Sequence, residues 1–285
     1  MKIGFAINPL LSAENRWGDD KYKRLSELGF GAIDFQMADT DLPLYSLSDQ
    51  ELRSVAEREK RLAEEAGVSI NQAHGPWRWP PRDLTDEDRS ERMEKMKRSI
   101  YISHLLGCKN WIVHPIMPFG IEDKGTENAP ITWDMNLRFM TELLKTANEY
   151  DVTVCLENMP MLNFSIATPE KILEFVELMN DEHFKICLDT GHVAVFKELS
   201  IGDEVRRLGS NIAALHVHDN DGRRDLHQFP FFGKLCWNEF AAALKDIGFD
   251  GVFSLETAPP TSLDTPVYEM YLSALRATAD GIVNK

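Results

Sequence analysis

Short apolar runs alternate with longer stretches of helical period along almost the whole chain. Ile3 to Ile7, Ala32 to Met37, Val68 to His74, Asn110 to His114, Val152 to Glu157, Phe184 to Asp189, Ile212 to His218 and Val252 to Glu256 each read as a strand. Helical patterns fall between them, at about Asp19 to Leu28, Ser48 to Glu65, Thr85 to Leu106, from Thr132 onward, Pro169 to Met179, Gly202 to Leu208, Asn238 to Ile247 and Pro266 to Ala279. The punctuation agrees: Ser48 and Glu51 make a capping box, Thr168 stands as N-cap before Pro169, and Gly29 and Gly67 close helices. Eight strand-then-helix units in strict alternation predict a parallel sheet. With no linker between them, they fit one closed (β/α)8 TIM barrel over residues 1–285 better than a doubly wound open sheet. No glycine-rich phosphate loop follows the first strand, which argues against a dinucleotide fold.

Side-chain alternation within these strands gives a second inference. Val154 and Leu156 point one way and Thr153, Cys155 and Glu157 the other. The same holds for Ile186 and Leu188 against Cys187 and Asp189, for Phe253 and Leu255 against Ser254 and Glu256, and for Trp111 and Val113 against Ile112 and His114. The large apolar set is expected to face the helices and the small or polar set the barrel axis. In each case the last residue of the inward set is ionisable. The densest polar stretch, Leu215 to His227, holds three histidines straight after an apolar run, with His216 and His218 on one strand face and Asn220-Asp221-Gly222 breaking the strand.

Glu157, Asp189, His218 and Glu256 follow one another at intervals of 32, 29 and 38 residues, close to the roughly 31 residues per unit of a ~250-residue barrel. Three carboxylates and a histidine converging on one axis repel unless something positive sits between them. A divalent metal answers this, and mixed carboxylate and imidazole donors suit Mn2+ or Zn2+ foremost, with Co2+, Fe2+ and Mg2+ as further candidates.

Composition narrows the partners. A net charge of −15 opposes tracking a phosphate backbone, so no nucleic-acid partner is expected. Four cysteines without CxxC spacing read as reduced thiols, and no stretch reaches membrane-spanning length; a cytoplasmic protein without a membrane partner is the expectation.

Cys187-Leu188-Asp189-Thr190-Gly191-His192, with Leu156-Glu157-Asn158, His216-Val217-His218-Asp219 and Ser254-Leu255-Glu256, resembles the xylose isomerase-like barrel superfamily over nearly the whole chain. That superfamily includes sugar and sugar-phosphate isomerases and epimerases, inosose dehydratases and endonuclease IV-type AP endonucleases. The resemblance implies that Glu157, Asp189, His218 and Glu256 match the four metal ligands of the ketose epimerases. His192 matches their substrate-holding histidine, and Arg224 of the Arg223-Arg224 pair the arginine that grips the sugar. His74, His114, Asp225 and His227 fall where the endonuclease branch has extra zinc ligands; a polar sugar-binding rim is the competing reading of these four.

The expected activity is metal-dependent isomerisation or epimerisation of a sugar, keto-sugar or sugar phosphate. A metal-polarised carbonyl would stabilise an enediolate while Glu157 and Glu256, on opposite faces of the substrate, remove and return the proton. The alternatives are a lyase or dehydratase on inososes or keto-glycosides, a phosphodiesterase of the endonuclease type, and a non-catalytic sugar-binding barrel. Trp17, Trp77, Trp79, Phe229, Phe231 and Phe232 sit in loops on the same side as the site. They suit a lid over a sugar, with Trp77 taken as a substrate-binding residue, and equally a contact between subunits of a homo-oligomer.

Overall fold

The computed structural model describes residues 1–11 and 16–284. Its strands are β1 (Lys2–Ile7), β2 (Ala32–Gln36), β3 (Ser69–His74), β4 (Asn110–Val113), β5 (Thr153–Glu157), β6 (Phe184–Asp189), β7 (Ile212–His216) and β8 (Val252–Leu255). All pair in parallel, in the order β7-β6-β5-β4-β3-β2-β1-β8. The remaining seam, between β7 and β8, is joined past the end of β7: the Val217 amide donates to Ser254 and the Glu256 amide to Val217. The helices are α1 (Lys21–Glu27), α2 (Asp49–Glu65), α3 (Asp86–Leu106), α4 (Asn128–Tyr150), α5 (Pro169–Met179), α6 (Thr190–Val195), α7 (Ile201–Leu208), α8 (Trp237–Asp246) and α9 (Thr265–Val283). The eight-stranded parallel barrel read from the alternation is the fold observed.

The local signals act as their chemistry dictates. Ser48 and Glu51 form both halves of a capping box on α2, and Thr85 and Thr168 accept backbone N–H bonds at the starts of α3 and α5. Strand phase also holds. Trp111, Val154, Leu156, Ile186, Leu188, Phe253 and Leu255 join the large apolar core, whereas Ile112, Cys155, Cys187 and Ala214 make a small cluster of their own.

Several boundaries differ from the sequence expectation. β4, β7 and β8 stop at Val113, His216 and Leu255, short of His114, His218 and Glu256; past β7 the pairing goes on only as the isolated Val217–Leu255 bridge. The segment after β6, where the sequence predicts no helix before Gly202, forms the short helix α6, because the Asp189 side chain accepts the His192 amide as an N-cap. α4 begins at Asn128, ahead of the expected Thr132; Pro130 is tolerated in the first turn, where its missing N–H is not needed. Among the described residues no helix is long and apolar enough to cross a membrane.

Candidate functional site

The strand tips of β3 to β8 bring their ionisable residues together at one end of the barrel. Single donor atoms from Glu157, Asp189, His216 and Glu256 all lie within 4.8 Å of one another. Further groups adjoin this centre: His74 with Glu157 and His216, Asp189 with His192 and His218, and His218 with Asp225 and His227.

Glu157, at the tip of β5, is buried. Its Oε1 lies 2.9 Å from His216 Nδ1, and its Oε2 2.9 Å from His114 Nε2 and 3.5 Å from His74 Nε2. Asp189 Oδ2 faces His218 Nε2 at 2.9 Å, while its Oδ1 accepts the His192 amide. Glu256 Oε2 lies 3.4 Å from His216 Nδ1, 3.6 Å from His227 Nδ1 and 4.0 Å from His218 Nε2. Asn158 extends the β5–β6 ladder with its side chain, accepting the Asp189 amide and donating to the Asp189 carbonyl, so both strand tips are held in step. Thr190 Oγ1 clamps the His218 backbone at both N and O. Gly191 lets the His218 ring lie on α6, since a β-carbon there would overlap it.

Electrostatics follow from burial and neighbours. Burial opposes the Glu157 charge, but His216 and His114 outweigh it and hold the carboxyl well below the usual range. Burial pushes Glu256 up, and Glu157 and Asp189 push the same way against His216 and His227. Burial opposes a charged His192, yet Asp189 and Asp225 raise it to about 10; for His227, Glu256 and Asp225 do the same, again to about 10. Burial drives His114 down to about 4. His192 and His227 are thus held toward the charged form beside the converging carboxylates, while His114 is held toward the neutral one.

This donor set fits a divalent ion. Three carboxylates and an imidazole converge from four strand tips, and only Glu256 among them is partly open to solvent. Oxygen and nitrogen donors in that mixture suit Mn2+, Zn2+ and their neighbours.

Most of the expected site residues gather here. His74 and His114 are buried against Glu157, and Trp77 packs edge-on to His114 with ring centroids 4.4 Å apart. His227 stacks on His218 at 4.2 Å, and Asp225 bridges His192 and His227 at 3.2 Å each. Arg224 does not join them. Its guanidinium pairs with Asp221 and its side chain is 71% exposed, because Asp221 also captures the backbone of Arg223 and Arg224 in a tight turn that directs the side chain outward. His216 stands in one group with Glu157, Asp189 and Glu256, and His218 Nε2 lies 2.9 Å from Asp189 Oδ2 and 4.0 Å from Glu256 Oε2. Of the other loop aromatics, Trp17 packs on Tyr268, Phe229 on Tyr271, and Trp79, Phe231 and Phe232 are exposed.

Four further residues shape the site without having been singled out. Asp34, on β2, is buried with Oδ2 2.9 Å from His216 Nε2, and Gln72 donates to that same oxygen. Both face the axis by alternation, which was the available signal. Asn158 was visible only as part of a motif. Asp219 accepts from the amides of Asn220, Phe231, Lys234 and Leu235 and from Trp237 Nε1, so one carboxylate folds the whole loop after β7. A cavity of about 460 Å³ opens beside Glu256 and His227, bounded also by Asn8, Gln36, Asp39 and Tyr268.

A family model described as a xylose isomerase-like TIM barrel matches residues 22–276. The D-psicose 3-epimerase of Ruminiclostridium cellulolyticum is 28% identical over 253 residues, covering 85% of this chain and 80% of that protein. The D-psicose 3-epimerase of Enterocloster bolteae is 27% identical over 244 residues, covering 82% and 74%. Among solved structures, D-psicose 3-epimerase with D-tagatose from Clostridium cellulolyticum H10 superposes with a TM-score of 0.76 at 19% identity, over 99% of both chains. The IOLI protein with a binding zinc atom gives 0.76 at 20% identity, over 99% of this chain and 98% of that one. At these identities the structures speak for the fold alone.

Proposed function

The chain belongs to the xylose isomerase-like TIM barrel family, and from that premise we propose that it is a divalent-metal-dependent epimerase of ketose-type sugars. The observation that carries the reading is the convergence of two glutamates from well-separated strands, Glu157 at the tip of β5 and Glu256 just past β8, with oxygens within 4.8 Å of each other. The likeness to two D-psicose 3-epimerases supports the substrate class.

In this reading Glu157, Asp189, His218 and Glu256 hold the ion. When bound, it supplies an electrophile that polarises the sugar carbonyl and compensates the charge left by proton removal. The protein's own groups do the rest. One glutamate breaks the C–H bond beside the carbonyl by taking its proton, and the other delivers a proton to the opposite face, so the carbon inverts. His192, fixed through Nδ1 by the Asn158 carbonyl at 2.6 Å, faces Asp225 Oδ2 with Nε2 at 3.2 Å and holds a substrate oxygen there by exchanging that partner. Asp225 and His227 bind along the rim, His74 and His114 support Glu157, and Trp77 covers an apolar sugar face. Arg224 reaches the sugar only by leaving Asp221.

The test is incubation of the purified protein with Mn2+, Co2+, Zn2+ or Mg2+ and a panel of free and phosphorylated ketoses in deuterated water. Epimerisation with deuterium at the inverted carbon is expected. Conversion without solvent deuterium indicates a hydride shift and removes both glutamates from proton transfer. A second reading, phosphodiester hydrolysis, is favoured by the gathering of His74, His114, Asp225 and His227 around the centre. The charge of −15 opposes it; metal-dependent nicking of an abasic duplex at physiological salt would reverse the ranking.

A further inference from the structure

A second cavity, of about 430 Å³, lies where α6 and the start of α7 meet the loop that follows β7. That volume is in the range of small-molecule sites. Part of its lining is apolar, from the buried Val193 and Phe196. Around it stand three cations, Lys197, Arg223 and Lys234. All three side chains are exposed, and among the described residues none makes an ion pair or a side-chain hydrogen bond. Two carboxylates share the lining. Asp221 is already taken by the amides of Arg223 and Arg224 and by the Arg224 guanidinium, so the three cations face Glu239 alone, which itself meets the Ser200 hydroxyl at 3.5 Å. On a chain of net charge −15, three cations gathered without acidic partners stand out.

The backbone beneath them is fixed. The Lys234 amide donates to the Asn220 carbonyl at 3.0 Å and to Asp219 Oδ1 at 2.9 Å, and the Gly222 amide to Asn220 Oδ1 at 2.8 Å. Gly222 has a φ of +75°, and a β-carbon there would meet Lys234 Cγ at 3.4 Å and the Ala194 carbonyl at 3.5 Å, so the loop is drawn onto the end of α6. Lys197 leaves α6 through two tight turns, Phe196 to Val193 and Leu199 to Phe196, each closed at 3.0 Å. Only side chains need to order around a ligand, which keeps the entropic cost of binding low. We propose that this cavity binds the phosphate group of a small molecule through Lys197, Arg223 and Lys234. A phosphate carries up to two charges and three acceptor oxygens, which answers three cations better than a single carboxylate does. The cavity adjoins the carboxylate centre along two segments: His192 belongs to the centre and Val193 to the cavity, Asp225 to the centre and Arg223 to the cavity. An occupant would therefore tie α6 to the loop that carries Asp225 and His227. The phosphate is either the far end of a sugar substrate or part of a separate molecule, and the site itself does not rest on the epimerase reading.

The test is a titration of the nitrogen-15-labelled wild-type chain with inorganic phosphate, followed by amide NMR. Saturable shifts are expected at Val193, Gly222, Arg223 and Lys234, with a Kd on the order of 1 mM that weakens as salt rises. No saturable shift up to roughly twenty times that concentration, or shifts confined to the residues of the carboxylate centre, overturns the proposal. Lys197→Ala/Lys234→Ala is expected to weaken phosphate binding at least ~10-fold, whereas Lys60→Ala/Arg61→Ala, two exposed cations on α2, should leave it within about twofold. Equal affinity in the first pair also overturns it, and should that pair fail to fold, the wild-type map decides. A phosphorylated ketose then separates the two sources. If the phosphate is the substrate's own, the amides of the cavity and those of His192 and Asp225 shift together with one affinity. A separate ligand shifts the cavity amides alone; either pattern supports the site. If the chain turns over no sugar, the epimerase reading fails and the phosphate titration still decides the cavity.

Discussion

The two flanks of the carboxylate centre are built by different means. On the β3–β4 side, His74 and His114 are buried at the strand tips, hydrogen-bonded to each other at 3.2 Å and covered by Trp77. On the β7 side, Asp225 and His227 stand on a loop, with side chains 27% and 42% exposed, and Arg224 faces solvent. The first flank is set once the barrel closes. The second is set only as far as Asp219 organises the loop. Under the proposed epimerase function, a rigid wall opposite an adjustable one suits a site that would bind a sugar, exclude water during proton transfer and then release it.

The comparison breaks most completely when the group common to both flanks is removed. Glu157→Gln is expected to lower turnover by ~10²–10⁴-fold even at saturating metal, because an amide cannot take the proton. Glu256→Gln should act alike, and the double variant should be far from additive; recovery of turnover by added metal would reduce either residue to a ligand.

Asp219→Ala attacks the adjustable flank alone. It leaves buried donors unpaired and is expected to cost about 3 kcal/mol in urea unfolding, with KM rising as the loop loses its form. A normal KM would show that Asp225 and His227 do not meet the substrate. Chelation of the ion sharpens the comparison from the other direction. At an ion concentration about a hundred times Kd the loaded chain should be more stable by about 2.7 kcal/mol, seen as a lower melting temperature once EDTA is added. Arg224→Ala is the mildest change. Stability should move by less than about 0.5 kcal/mol, since the side chain is exposed. If the loop carries the guanidinium onto the sugar, KM should rise about tenfold, and an unchanged KM would leave it with Asp221.

How much of this was legible in sequence varies with how far each contact reaches. Strand phase alone turned Glu157, Asp189 and His114 inward, because period two in a parallel strand leaves only two faces. Alternation also puts Asp34 and Gln36 on the polar face of β2, but a lone carboxylate there has no evident partner. Its partner, His216, lies 182 residues away and meets it only through closure of the barrel. The same holds for His216 and His218: alternation puts both on one face, and only closure of the barrel places His216 with Glu157, Asp189 and Glu256 and His218 with Asp189 and His192. Arg224 stands apart from the other site residues for a local reason, the Asp221 turn, which captures two backbone amides and pairs with the guanidinium. Asp219 was hidden because its acceptor role depends on where residues 231–237 return.

The seam between β7 and β8 gives the cluster a mechanical meaning. Glu157, Asp189, His216 and His218 come from one side of that join and Glu256 from the other, and the join itself rests on the amides of Val217 and Glu256. Whatever draws these groups together acts as a clasp across the last edge of the sheet. Cation binding and ring closure then become one equilibrium: a fragment ending before β8 should hold an ion poorly, and tightening around an ion should slow hydrogen exchange first at Val217 and Glu256.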